Sequence, residues 1–211
     1  MFWIALANVL SLPVPAQPRV PDVRALFSAD DWPAFLHDSR TVYTRTTVRP
    51  DGSIQGCVVE AKSGEPKLDT YTCELILKRA KFLPAKWSDG TEVYGVIRVP
   101  VSWTTTNSIP TDANRLRTVV PDMDFAVNKL PDGAPSLVGL ELEVAADEQG
   151  RVVTCEARTP FTKSHLREYP NLTALACQKA STELTMVPPI DDAGKPVRSI
   201  QNVTVHFSKS R

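Results

Sequence analysis

Apolar and polar residues alternate along residues 92–103, with Val93, Ile97, Val99, Val101 and Trp103 at the odd positions. A period of two belongs to a strand with one face on a core and one face outside. Residues 41–49 are rich in Thr, Val and Tyr, and residues 54–61 follow after Pro50-Asp51-Gly52. There Pro presets φ, Asp bonds neighbouring backbone and Gly supplies positive φ, so the two segments form a β-hairpin. The period then changes. Over residues 68–82, Cys73, Ile76, Leu77 and Ala80 recur at i, i+3, i+4 and i+7, which predicts a helix with one buried face. Pro84 ends it, and Asp89-Gly90 turns the chain into the strand at 92–103. Pro100 lies inside that strand and lacks an N–H, which places the strand at a sheet edge. Ahead of the hairpin, Asp31-Trp32-Pro33 opens a short helix to about Asp38.

The same order returns in the second half. With Cys73 set against Cys177, the next 30 residues align without a gap. Pro84 falls on Pro188, Gly90 on Gly194, Val99 on Val203 and Trp103 on Phe207. Gly52 precedes Cys57 by five residues, as Gly150 precedes Cys155. A second hairpin is predicted at 138–146 and 151–158, a helix from Asn171 to about Thr185, and a last strand at 197–207. The candidate for its opening helix is 122–130. An internal repeat decides architecture first. The expected fold is α+β: two tandem small modules, each a three-stranded antiparallel sheet with helices packed on one face. The boundaries are 30–103 and 115–208, with linkers at 17–29 and 104–114.

Modules of this size have marginal cores without a covalent staple. The four cysteines, Cys57, Cys73, Cys155 and Cys177, form two repeat-equivalent pairs, one member on each hairpin and one on each helix. Pairing within modules would close loops of 16 and 22 residues and add about 3 kcal/mol each. It implies an oxidising compartment. The apolar run at 2–12 followed by Val14-Pro15-Ala16 reads as a signal peptide spanning 1–16, although no Lys or Arg precedes it. The run is too short for a membrane anchor. Membrane contact is expected only if this segment is retained.

Charge excludes one class of partner. The chain has 24 Lys and Arg against 24 Asp and Glu, without the basic excess that nucleic acid requires. No catalytic constellation is visible: His37, His165 and His206 are scattered, and the cysteine spacing suits neither redox Cys-x-x-Cys nor zinc. We expect no enzyme, cofactor or metal. Asn171-Leu-Thr and Asn202-Val-Thr match glycosylation acceptors. What remains is surface. The outward positions of the last strands are Tyr94, Val96, Arg98 and Ser102 in the first half, and Arg198, Ile200, Asn202 and His206 in the second. An edge strand can accept an extended peptide as a further strand, or stand as a blunted edge.

The first half also resembles the C-terminal domain of the TonB family of energy transducers. The resemblance rests on Pro50-Asp51-Gly52, Ser63-Gly64, Leu68-Asp69, Phe82-Leu83-Pro84-Ala85, Asp89-Gly90 and the closing Val99-Pro100-Val101. Asp31-Trp32-Pro33 is similar to the family's opening aromatic–proline element. The second half keeps Gly150-Arg151-Val152, Pro188-Pro189 and Gly194-Lys195-Pro196-Val197. The resemblance implies a periplasmic α+β module whose last strand pairs with an extended segment of an outer-membrane transporter. Tyr94, Val96, Arg98 and Pro100 then become candidate partner contacts. Three readings follow: a periplasmic binding protein for such segments or other envelope proteins, an anchored energy transducer, or a structural protein that dimerises through its edge strands.

Overall fold

The computed structural model describes residues 13–18, 29–104, 120–157 and 169–210. Most of the expected signal peptide, parts of both linkers and His165 lie outside them. In chain order the elements are β1 (Gln17–Pro18), a 3-10 turn at Ala29–Asp31, β2 (Arg40–Val48), β3 (Ile54–Ala61), α1 (Pro66–Arg79), β4 (Phe82–Leu83), β5 (Ala85–Lys86) and β6 (Glu92–Trp103). Then come β7 (Met123–Val127), β8 (Leu137–Ala146), β9 (Val152–Ala157), α2 (Pro170–Glu183) and β10 (Ser199–Lys209). The fold is α+β, with a mixed sheet and two α-helices among the described residues.

The three-stranded sets expected for each half do not stay separate. They merge into one eight-stranded sheet of order β3-β2-β6-β10-β8-β9, with β5 beside β6 and β7 beside β10. The join is a parallel pairing of the two last strands: Ser199 against Tyr94, Ile200 against Gly95, Gln201 against Val96. Beyond Gln201 the strands part, and β7 takes the place beside β10 from Val205 onward.

Register decides where the cores sit. Odd positions of β6 pack with α1, joined by Val42 and Val48 of β2. Ile200 pairs with Gly95, so it shares that face and sits in the same cluster. The odd positions Val203, Val205 and Phe207 therefore point the other way, and they pack with Leu172, Ala176 and Ala180 of α2. The two helices thus cover opposite faces of the joined sheet.

The local causes match in the two halves. Gly52 and Gly150 both hold positive φ, 80° and 79°. A Cβ on Gly52 would lie 2.1 Å from the Phe82 carbonyl oxygen, and one on Gly150 would lie 2.0 Å from that of Met186. Only glycine meets both demands. Each hairpin turn is thereby tied to the segment after the helix, since the Phe82 and Met186 amides donate to the Gly52 and Gly150 carbonyls. Disulfides then pin helix to hairpin: Cys57–Cys73 joins β3 to α1, and Cys155–Cys177 joins β9 to α2. In α1, Pro66 stands in the first turn and Glu65 caps it, accepting from the Lys67 amide.

Several expected elements differ. Residues 122–130 form no helix; Met123, Phe125 and Val127 follow a period of two and build β7. The opening helix at 31–38 reduces to the turn at Ala29–Asp31 and bends. The α1 core face is Leu68, Thr72, Leu75 and Ile76, while Leu77 is 48 % exposed. At the head of α2 the capping position is Tyr169, with no side-chain cap bond, and not Asn171.

Candidate partner-binding surface

The last strands were expected to be edges. They are instead the central pair of the sheet, which corrects the contact set built on that expectation. Tyr94 and Val96 are buried, because β10 occupies the flank they were to offer. Ile200, Asn202 and His206 are buried as well, so no sugar can reach Asn202. Pro100 and Ser102 are exposed. From Ile97 to Trp103, β6 pairs with β2 on one side and with no described strand on the other. The flank of β6 that no described strand covers is therefore about half a strand long and starts where β10 leaves.

Arg98 marks that point of departure. Its guanidinium meets two carboxylates in a two-pronged fashion. Nε donates to Glu60 Oε2 at 2.7 Å and Nη2 to Glu60 Oε1 at 3.2 Å. Nη1 donates to Asp122 Oδ2 at 2.6 Å and Nη2 to Asp122 Oδ1 at 2.9 Å. Nη1 also reaches Thr204 Oγ1 at 2.6 Å. Arg45 bonds the same two acids from β2. Asp122 in turn accepts from the Thr204 amide at 2.7 Å. The lattice bridges the halves: Arg45, Glu60 and Arg98 belong to the first, Asp122 and Thr204 to the second. Burial works against the Arg98 cation, but the bonds to Asp122 and Glu60 outweigh it and raise its pKa further. Burial would likewise raise Asp122, yet Arg98 holds it below the ordinary carboxylate range. At 11 % side-chain exposure Arg98 is a structural clamp, with its donors already used.

Further contacts join the halves, among them Arg49 Nη2 to Asp192 Oδ1 at 3.4 Å. Arg198 lies over the Trp87 ring at 4.9 Å and reaches Asp89 at 3.7 Å. Gln55 Nε2 donates to the Ile190 carbonyl at 2.7 Å.

The histidines do not assemble. His37 is exposed and His206 buried. His206 Nε2 has no hydrogen-bond partner, and burial lowers its pKa against the opposing charge of Asp124. Among the described residues no group of three His, Cys, Asp or Glu is placed to hold a metal ion. No described helix is long and apolar enough to cross a membrane.

Residues 40–105 match the family model of the Gram-negative bacterial TonB protein C-terminal. Over that stretch the chain is similar to the TonB C-terminal domain. No curated protein and no solved structure matches the chain. The matched TonB segment runs from the start of β2 through the end of β6, so it contains the Gly52 turn, the Cys57–Cys73 bond and the half of β6 that β10 does not cover. The sequence signal for its core was direct. The Arg98 lattice carried no signal, because its acids lie 38 and 24 residues away along the chain.

Proposed function

We propose that this chain acts in the Gram-negative cell envelope as a TonB-like binding protein for outer-membrane transport proteins. It is exported by residues 1–16 and works in the periplasm, as two copies of one disulfide-stapled module. It binds by strand addition, without catalysis or cofactor. The observation that carries this reading is the flank of β6 from Ile97 to Ser102, which no described strand occupies, inside the segment that matches the TonB C-terminal family. An extended segment laid there would add a strand along a flank that no described strand occupies, with Pro100 and Ser102 exposed.

In-cell photo-crosslinking tests it. A photoreactive residue at Ser102 or Pro100 should capture an outer-membrane transport protein, and one at Val99, which is 5 % exposed, should not. Capture of nothing from any of the three positions would contradict the reading. Capture of a second copy alone would favour the structural protein.

A further inference from the structure

The chain already contains one added strand. Residues 13–18 run antiparallel to β4 and β5 in the first half. Val14 and Lys86 exchange both backbone bonds, at 2.8 and 2.7 Å, and Gln17 and Pro18 pair with Leu83 and Phe82. Ala16 is 1 % exposed. Its methyl lies where glycine alone permits: a Cβ on Gly95 would come within 2.7 Å of it, and within 3.4 Å of Ala85 Cβ. The prolines fit the arrangement. Val14 turns its N–H and C=O to Lys86, so Pro13 and Pro15 direct their nitrogens to the outer side, where no donor is needed.

The second half shows the same strip closed. The offset that aligns Cys73 with Cys177 puts Val187, Ile190 and Ser199 at the places of Leu83, Lys86 and Gly95. There Gln201 Nε2 donates to the Val187 carbonyl and Gln55 Nε2 to the Ile190 carbonyl. Ser199, at the place of Gly95, is buried and accepts from Gln201 Nε2 at 2.9 Å. Side chains satisfy in one half what a strand satisfies in the other, so the first strip is a seat built to accept backbone.

We propose that β4, β5 and Gly95 form a seat for an extended segment of the pattern proline, apolar, proline, small. Residues 13–18 fill it in cis, and a partner protein's segment of that pattern fills it when they are removed. Cleavage after Ala16 would take away both Val14 and Ala16. The proposal shares strand addition with the function above but not its location. Its failure would leave crosslinking from Ser102 untouched, and the reverse also holds.

The test uses a fluorescent decapeptide of residues 11–20 and the whole chain, with binding read by anisotropy. Ala16→Asp expels the cis segment by placing a charge in the seat. The decapeptide should bind this variant roughly tenfold tighter than wild type or more. Adding Gly95→Val should abolish binding, and a decapeptide carrying Ala16→Leu should not bind at all. Where Ala16→Asp loses its folded circular dichroism signal, Val14→Pro replaces it, since that change removes the N–H that Val14 donates to the Lys86 carbonyl. Equal binding to wild type and variant would overturn the proposal. So would no binding to a folded variant, or indifference to Gly95→Val. A wild-type dimer that dissociates on Ala16→Asp would mean that residues 13–18 exchange between copies, and would overturn the assignment to a partner.

Discussion

The two halves share a skeleton and differ at their edges. Each ties its hairpin turn to the segment after the helix through a positive-φ glycine, and each staples that hairpin to its helix by a disulfide. At the strip after the helix they part. The first half leaves backbone to be satisfied by residues 13–18, over a glycine. In the second, side chains satisfy it: Gln201 and, reaching across from the first half, Gln55. Geometry that only one residue type tolerates stays the same in both, whereas an edge can be closed in either of two ways. The second half also closes part of the first, because β10 lies on β6 at Tyr94–Val96 and Asp122 holds Arg98.

The sharpest way to break the comparison is at the lattice between the halves. Arg98→Met leaves Glu60 and Asp122 half-buried without their main cation. The expected cost is roughly 3–5 kcal/mol in urea unfolding. A loss below about 1 kcal/mol would place the clamp with ordinary surface pairs. Gly52→Ala and Gly150→Ala come next. Each drives a Cβ into a carbonyl oxygen, so each should cost about 3 kcal/mol. Near-equal losses would support matched skeletons, and a tolerated change in one half would end the equivalence.

Cys57→Ala with Cys73→Ala should cost about 3 kcal/mol, and Cys155→Ala with Cys177→Ala a few tenths more for its longer loop. Thermal melting of the two double variants checks both. His206 sharpens the picture through pH. Burial lowers its folded pKa, so protonation favours the unfolded chain. Stability is then full above the ordinary histidine range near 6.5 and falls as pH drops below it, by at most about 1.4 kcal/mol per unit. His206→Leu should flatten that part of the profile. The smallest effect is expected from Gln201→Leu, about 1 kcal/mol, because it frees one backbone acceptor at an exposed loop.

Much of this was written in the sequence. The hairpins, both helices and the cysteine pairing followed from turn chemistry, period and repeat. The joining of the sheets did not, yet a trace of it was present. Val93 to Ile97 reads Val-Tyr-Gly-Val-Ile, a run with no polar break, as in strands buried on both faces. Weighing only its odd positions hid that. In β10 the trace is weaker still, since Gln201, Asn202, Thr204 and His206 are buried polar residues. Tertiary pairing, which local pattern does not encode, put them there. The β7 strand was misread although Met123, Phe125 and Val127 alternate, because the repeat suggested a helix at that place. β1 was read as part of a linker, since its two residues, Gln17 and Pro18, show no period.

Amide hydrogen exchange across the join tests most directly that the halves form one sheet. The amides of residues 94–96 and 199–201 should be protected to the level of the β2–β6 ladder and lose protection together as denaturant rises. Rapid exchange at 94–96 and 199–201, with the rest of β6 still protected, would mean two separate modules and a fully open β6 edge.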